Sequence, residues 1–297
     1  MDVSIAKFIE ENTTTKKSRY LKSIQVENFW SQGYKGKDIV IAVIDTGCDI
    51  NHPDLRGKII DGYNFTEEQQ GNIKSYHDFN GHGTHVSGII VGKNTGVAPD
   101  SKILSLKILD QDGNGKVENL IKAIHYALEW KGPHNEKVRV ICLSLGSKKN
   151  NLDLHKSIKE AIKKQVSVVV ASGNDGDGTD ETHVRYPGYY NEVIEVGALD
   201  YSNQIARFSN HNNQLDLVAP GTKVYSTYLD GEFREMSGTS MAAPFVAGSL
   251  ALIIQGMEDK FQRRLSETEV YGQLIKRTSA VTGNYLLEGN GGIKLFL

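Results

Sequence analysis

The chain has 297 residues, of which 39% are hydrophobic, and 34 Lys and Arg against 36 Asp and Glu give a net charge of −2. This length allows a substantial core in one large domain or two smaller ones, and the balanced charge gives no reason to expect nucleic acid or an anionic membrane surface as a partner. The N-terminal residues lack the apolar core of a signal peptide, and no apolar stretch reaches membrane-spanning length, so the sequence predicts a soluble protein of the cytoplasm.

Residues 1–24 form a polar extension, and short apolar runs then alternate with helical patterns. The apolar runs predict buried strands at 38–45, 101–109, 138–146, 166–173 and 192–199. Helical spacing predicts helices at 117–130 and 152–165. Strands that are apolar on both faces are typical of a parallel sheet with crossover helices, so residues 25–297 are predicted to form one α/β domain.

Two further helices are predicted towards the C-terminus. An apolar run from Phe245 to Ile254 suits a buried helix, with Pro244 in its first turn and the hydroxyl of Ser240 ahead of it as a possible cap. Ser266 and Glu269 have the spacing of a capping box at the start of a helix over 266–279.

Two cysteines, Cys48 and Cys142, each lie beside a predicted strand. This placement favours small buried thiols in a reducing compartment over a disulfide framework.

Unusual loops follow three of the predicted strands. They read DTGCD after the first strand, SLGS after the third and SGNDGDG after the fourth. Because ligands bind outside the carboxyl ends of strands in open parallel sheets, this clustering indicates an enzyme.

Three residues in different segments have the chemistry of a nucleophilic site. Asp45 ends a buried strand, His82 stands between glycines at the start of a predicted helix, and Ser240 precedes the apolar run. A serine hydroxyl needs a base to take its proton, and that base works best when a third group orients it. The sequence therefore predicts an Asp-His-Ser triad.

Each of these residues also has a structural interpretation. Asp45 could be a turn residue, and DTG is also the tripeptide of aspartic proteases, although no second D-[TS]-G occurs. His82 and His85 could be metal ligands, but no H-E-x-x-H motif or Cys cluster accompanies them, and we assign His85 to structure. Ser240 could be only a cap, and Asn174 only a turn residue.

Four segments carry a resemblance to a known family: IAVIDTGCDINHPDL, NGHGTHVSGII, ASGNDGDG and GTSMAAPFVAG. They resemble the signature blocks of the subtilisin-like serine proteases and have the triad order of that family. YNEVIEVGAL, LDLVAPG and FQRRLSETEVYGQLIKRT are most similar to the intracellular subtilisins of Bacillus-like bacteria. The resemblance implies a three-layer α/β/α fold with a central, mostly parallel sheet, and an endopeptidase that acts on peptide or protein substrates.

The resemblance also assigns roles. Ser240 is the nucleophile, His82 the general base and then acid, and Asp45 the group that orients the imidazole. Asn174 and the backbone N–H of Ser240 donate to the oxyanion. A serine esterase is disfavoured because G-x-S-x-G is absent, and a binding protein without activity because all four residues are present.

Substrate contacts are expected at two backbone edges that hold an extended peptide. By resemblance these edges consist of Gly113, Asn114 and Gly115, and of Ser144, Leu145 and Gly146. The first could instead be an ordinary glycine-rich turn.

Arg185 takes a position beside the primary specificity pocket where the family usually has a small residue. A guanidinium there favours a carboxylate partner, so it predicts tolerance of Glu or Asp before the cleaved bond. The alternative is that Asp175 or Glu181 pairs with Arg185, or that its long side chain turns into solvent.

The chemistry needs no cofactor, but structural calcium is possible. Asp54 matches a calcium ligand of the family, although the loop GKNTGVAP that would supply its other ligands is short. A second candidate is the acidic loop with Asp175, Asp177, Asp180 and Glu181, which could equally be a solvated surface.

The N-terminal extension, residues 1–24, is predicted to be a short inhibitory segment, as the resemblance to the intracellular subgroup implies. The Leu-Ile-Pro-Tyr motif of that subgroup is absent, and KFIEEN is only a loose substitute. The alternative is a disordered tail. The resemblance also implies a possible homodimer.

Overall fold

A mostly parallel sheet lies at the centre of the part of the chain that the computed structural model describes, residues 1–5, 9–11, 19–179 and 181–296. The strands are β1 (Asp2–Ser4), β2 (Ile9–Glu11), β3 (Val40–Asp45), β4 (Ile59–Asn64), β5 (Lys102–Lys107), β6 (Asn114–Lys116), β7 (Val138–Leu143), β8 (Ser167–Ala171), β9 (Ile194–Leu199), β10 (Leu217–Pro220), β11 (Val224–Thr227), β12 (Phe233–Ser237), β13 (Thr278–Ser279) and β14 (Gly292–Ile293). The helices are α1 (Arg19–Ser23), α2 (Glu27–Trp30), α3 (His82–Val91), α4 (Val117–Glu129), α5 (Leu152–Lys163), α6 (Thr239–Phe261), α7 (Glu267–Ile275) and α8 (Tyr285–Glu288), with short 3₁₀ segments at Glu68–Gly71 and Leu229–Gly231.

Within those residues the central sheet has nine strands in the order β13-β14-β10-β9-β8-β7-β3-β5-β4. Neighbouring strands are parallel except for β13 and β14, which are antiparallel. The strand order reverses beside β3, which lies between β7 and β5. Ligand sites of open parallel sheets form at such a switch point, and Asp45 ends β3 there.

Helices cover both faces of the sheet. On one face α3, α6 and α7 pack over Ile41, Val43 and Cys142, and on the other α4 and α5 pack over Val40, Ala42 and Ile44. Alternate residues of β3 therefore enter opposite cores, as the period of two in a strand requires. The fold is the three-layer α/β/α arrangement expected from the resemblance.

The predicted strands and helices are present with slightly shorter bounds. The predicted run at 38–45 is β3, and the helices predicted over 117–130, 152–165 and 266–279 are α4, α5 and α7. The capping box is confirmed: the Ser266 side chain accepts from the Glu269 N–H, and the Glu269 carboxylate accepts from the Ser266 N–H. Both cysteines are free and buried.

The start of α6 corrects two expectations. The N-cap position is Gly238, so Ser240 lies inside the first turn and is not the cap. Pro244 is the sixth residue of the helix, beyond the first turn where we expected it. A proline there leaves the carbonyl four residues earlier without its helical donor, and the Ser144 hydroxyl donates to that Ser240 carbonyl at 2.8 Å.

By length and composition α6 could cross a membrane, but 94% of its most apolar 18-residue window is buried inside the protein. Such burial is typical of the core helix of a globular domain.

The packed part of the chain includes residues that we assigned to the N-terminal extension. Leu21 and Ile24 lie in the same core as α6, and the Leu295 N–H donates to the Ile24 carbonyl at 2.8 Å. The boundary predicted between residues 24 and 25 therefore runs through a packed segment, and α1 is part of the domain.

Gly248 marks the closest approach between α6 and the segment after α3. A Cβ on Gly248 would lie 2.7 Å from the Cβ of Val97, and Val97 is fixed by its N–H bond to the Ile89 carbonyl and by the Trp30 indole N–H that its carbonyl accepts. In α7, a Cβ on Gly272 would meet nothing within 4 Å. Gly248 and Gly272 therefore form a matched pair for substitution by Ala: both lie in helices, but only Gly248 is closely packed.

We predict that Gly248→Ala lowers the free energy of unfolding by about 1–3 kcal/mol, because overpacking outweighs the gain in helix propensity. Gly272→Ala should raise it by about 0.5–1 kcal/mol, because only the propensity term acts. Urea unfolding of both variants and of the wild type measures the two changes. Equal shifts in both variants would contradict the close approach of Gly248 and Val97.

Candidate active site

Asp45 and His82 form a buried hydrogen bond at the carboxyl end of the sheet. Asp45 is the last residue of β3 and His82 the first of α3, and the His82 Nδ1 atom lies 2.7 Å from Asp45 Oδ1. The side chains are 1% and 0% exposed, and the same carboxylate oxygen accepts the Thr46 N–H at 2.7 Å. The carboxylate thereby fixes Nδ1 as the protonated ring nitrogen and leaves Nε2 as the basic one.

Ser240 is the second residue of α6 and is held from two sides by Ser144, which follows β7. The Ser240 Oγ donates to the Ser144 carbonyl at 3.1 Å, and Ser144 Oγ donates to the Ser240 carbonyl at 2.8 Å. These reciprocal bonds fix the first turn of α6 against the end of β7. Asp45, His82 and Ser240 thus come from three elements that meet at the same edge of the sheet.

Asn174 lies beside the start of α6, as an oxyanion donor must. Its Oδ1 accepts from both the N–H and the hydroxyl of Thr239 at 2.9 Å, which directs the amide nitrogen the other way. The position of a Cβ on Gly238 would be 3.0 Å from Asn174 Nδ2 and 3.7 Å from Ser240 N. Both donors therefore border the same space, which Gly238 leaves open.

The two predicted substrate edges are already paired with the chain's own N-terminal residues. Strand β1 is antiparallel to β6, with Ser4 opposite Asn114 and Val3 opposite Gly115. On its other side, the Ser4 N–H donates to the Gly146 carbonyl at 3.3 Å, and the Gly146 N–H donates to the Ser4 carbonyl at 3.1 Å. The strand therefore lies between the two edges, in the position where we expected a substrate.

Two further contacts fix the strand at its ends. The Ile5 N–H donates to the Gly113 carbonyl at 3.2 Å, and the Val117 N–H at the start of α4 donates to the Met1 carbonyl at 2.8 Å. Val3 is 1% exposed and belongs to the core that contains Leu145. The pairing of β1 with β6 and with Gly146 was not predicted from the sequence.

Arg185 is paired with Asp175, which was the alternative to a free guanidinium. Arg185 Nη2 donates to Asp175 Oδ1 at 2.7 Å, and its Nε donates to the other carboxylate oxygen. This bidentate pair holds the pKa of the Asp175 carboxyl well below its usual range. The Arg185 stem lies beside Gly146 and Gly173, since a Cβ on either would be within 3.4 Å of its carbon atoms.

The proposed calcium ligands Asp54 and Asp177 accept hydrogen bonds from neighbouring residues in this structure. Both Asp54 oxygens accept the Asn94 N–H at 3.1 Å, and Asn94 Nδ2 and Thr95 Oγ1 donate to them as well. Asp177 accepts from Thr179, and Asp180 lies outside the described residues. No group of three or more His, Cys, Asp or Glu side chains suited to a metal occurs in the described part of the chain. Calcium binding stays a prediction from the resemblance.

His85 has the structural role assigned to it. It is fully buried, and its Nε2 lies 3.0 Å from the carbonyl oxygens of Val224 and Arg234. Burial lowers the pKa of its imidazole to about 3, so the neutral ring donates to these carbonyls and links α3 to β11 and β12.

Lys107 supports the site and was missed in the sequence analysis. It faces Asp45 across the β3–β5 pair, is 0% exposed, and donates to the Thr46 carbonyl at 2.6 Å and the Leu109 carbonyl at 2.9 Å. Glu68 Oε2 lies 2.9 Å from its ammonium. The only sequence signal was a charged residue inside an apolar strand.

Comparison with known proteins agrees with this geometry. The Subtilase family model matches residues 36–291. The chain is 43% identical to an intracellular serine protease of Paenibacillus polymyxa, over 95% of this chain and 86% of that protein. It is 44% identical to the major intracellular serine protease of Bacillus subtilis, over 93% and 86%.

Similarity extends more weakly to subtilisin E of Bacillus subtilis, at 36% identity over 79% of this chain and 60% of that protein. The family match spans Asp45, His82 and Ser240, which the fold brings to one edge of the sheet. The chain therefore belongs to the subtilase family.

Proposed function

We propose that this serine endopeptidase works inside the cell, where it turns over or processes proteins of the cytoplasm. The endopeptidase activity rests on family membership and on the buried bond between Asp45 and His82 beside Ser240. The intracellular role is supported by the names of the similar proteases and by two buried free thiols, which suit a reducing compartment. Assembly as a homodimer stays a prediction from the resemblance.

In the proposed reaction each residue has a step in peptide hydrolysis. The Ser240 hydroxyl exchanges its bond to the Ser144 carbonyl for one to His82 Nε2, loses its proton to that nitrogen and attacks the scissile carbonyl. The Asp45 carboxylate stabilises the imidazolium that forms. Asn174 Nδ2 and the Ser240 N–H donate to the developing oxyanion, and His82 then protonates the leaving amine. A water molecule then attacks the acyl-enzyme: it gives a proton to His82, the same donors stabilise the oxyanion, and Ser240 is released.

A fluorophosphonate probe tests the nucleophile, on the full chain and on a chain lacking residues 1–18. We expect labelling of the wild type at Ser240 and none of Ser240→Ala. Peptide hydrolysis by Ser240→Ala should fall by more than about 10²-fold, because this variant lacks the nucleophile that forms the acyl-enzyme. A protein that is labelled but hydrolyses only esters would be an esterase. If neither the full chain nor the chain lacking residues 1–18 is labelled, the protein is a binding protein without activity.

We further propose that the N-terminal segment inhibits the enzyme by occupying the substrate edges. The support is the antiparallel pairing of β1 with β6 and with Gly146, which uses the backbone groups that an extended substrate needs. A peptide substrate can bind both edges only after this strand has left them. Buried Val3 anchors the strand, whereas the neighbouring Asp2 side chain is exposed.

Val3→Asp should release the strand, because it places a carboxylate in an apolar core without a partner. We expect the initial rate of peptide hydrolysis to rise about tenfold, since about 1.4 kcal/mol of lost strand binding lowers the ratio of closed to open enzyme by that factor and so raises the small open fraction. Removal of residues 1–18 should have at least this effect and leaves Leu21 in place. Asp2→Asn serves as the control. Equal initial rates in all four proteins would refute inhibition.

The Arg185–Asp175 pair is our proposed determinant of specificity before the cleaved bond. Its position beside Gly146 and Gly173 supports a contact with the substrate side chain. Because Asp175 already uses two guanidinium donors, the pair presents little net charge, and the preference for Glu or Asp is weak in the wild type.

Matched peptides with Glu or Leu before the cleaved bond test this assignment. Asp175→Asn should raise the Glu-to-Leu ratio of kcat/KM about tenfold, because a hydrogen bond to a charged group contributes about 1.5–3 kcal/mol. Arg185→Ser should lower the ratio. If Asp175→Asn also disturbs the neighbouring oxyanion donor Asn174, hydrolysis of both peptides slows equally and the ratio of their kcat/KM values does not change. If all three enzymes give the same ratio, Arg185 does not contact this side chain.

A further inference from the structure

Asp78 is a buried carboxylate between the two elements that supply Asp45 and His82. It lies in the loop before α3 and is 1% exposed. An ionised carboxylate is costly to bury unless both of its oxygens accept hydrogen bonds. The contacts of Asp78 therefore show what holds it there.

Five hydrogen bonds end on the Asp78 carboxylate. Oδ1 accepts from Thr46 Oγ1, from the Asn80 N–H and from the Gly81 N–H, each at 2.9 Å. Oδ2 accepts from the Thr84 N–H at 2.9 Å and from Thr84 Oγ1 at 2.6 Å. Asp78 thus binds a side chain from the loop after β3 and the first turn of α3 at the same time.

These bonds close a ring around the Asp45–His82 pair. Thr46 directly follows Asp45 and donates its N–H to Asp45 Oδ1 at 2.7 Å. The hydroxyl of Thr46 donates to Asp78 and accepts the Gly83 N–H at 2.9 Å, one residue after His82. The loop that directly follows the catalytic carboxylate and the helix that begins with the catalytic imidazole are therefore joined twice, through the Thr46 hydroxyl and the Asp78 carboxylate.

We infer that Asp78 is a positioning residue for the triad: its carboxylate fixes the Asp45 loop against α3 and so sets the geometry of the Asp45–His82 bond. The charge of Asp78 has a second effect. The first turn of α3 carries a partial positive charge that disfavours the His82 imidazolium, and an anion bound to that turn offsets it. Loss of Asp78 should therefore affect both the rate and the pH dependence.

If Asp78 had only a structural role, its loss would affect the kinetics no more than the loss of another buried carboxylate that holds a loop. Glu288 provides the comparison. It is 3% exposed, lies between β13 and β14 in the chain, and accepts from the N–H groups of Val281, Thr282 and Gly283. Glu288→Gln removes a buried carboxylate with a similar set of donors and contacts no catalytic residue. It reports what loss of stability alone does to the kinetics.

The experiment compares Asp78→Asn, Thr46→Val and Glu288→Gln with the wild type, all as the full chain. Active sites are counted with a fluorophosphonate so that kcat refers to folded enzyme. For Asp78→Asn we expect kcat to fall about 10–100-fold, because small misplacements of a catalytic group have effects of that size, with KM changed less than about twofold. The acid limb of its kcat/KM profile should move to lower pH. Glu288→Gln should keep the kcat and the acid limb of the wild type.

Thr46→Val keeps the inference testable if Asp78→Asn does not fold. It removes only the hydroxyl link and keeps both the shape of the side chain and the charge of Asp78, so a smaller fall in kcat with the acid limb of the wild type is expected. A folded Asp78→Asn with the kcat and acid limb of Glu288→Gln would overturn the inference. If Asp78→Asn cannot be purified, a wild-type kcat in Thr46→Val would also overturn the inference.

Discussion

A charged group buried at the end of a central strand is the constraint on which the rest of the site depends. Asp45 is 1% exposed, and its carboxylate accepts hydrogen bonds from within the protein, from His82 Nδ1 and from the Thr46 N–H. The first turn of α3 must therefore lie close to the loop after β3. Gly83 makes this approach possible, since a Cβ there would lie 2.2 Å from the Gly47 carbonyl. A glycine directly after the histidine is thus required by the packing that brings imidazole and carboxylate together.

Much of the fold could be predicted because its signals are local. The runs that became β3, β5, β7, β8 and β9 are apolar on both faces, which few structures other than a covered parallel strand allow. The triad residues could be identified because each lies at the end of a predicted strand or helix and within two residues of a glycine. The Ser266 capping box was predictable for the same reason, since both partners lie within one turn.

The features that were missed or misplaced depend on partners distant in sequence. A proline in the sixth position of α6 is tolerated because Ser144, 96 residues earlier, supplies a donor to the Ser240 carbonyl. Lys107 and Asp78 are charged residues, which in a sequence indicate a surface, and only the assembled loops show that they are buried with their bonds satisfied. Likewise β1 is only three residues long and gains its stability from edges formed more than 100 residues later.

The placement of β1 has a consequence for the kind of substrate that the protease can select. A segment tethered to the same chain competes at an effective concentration on the order of millimolar, and dilution of the enzyme does not weaken it. Where β1 inhibits the enzyme as we propose, a scarce peptide of ordinary affinity is excluded, whereas abundant extended chains, such as those that accumulate when proteins unfold, together displace the strand. The proposed inhibition therefore makes the rate of cleavage depend on the total concentration of unfolded chains.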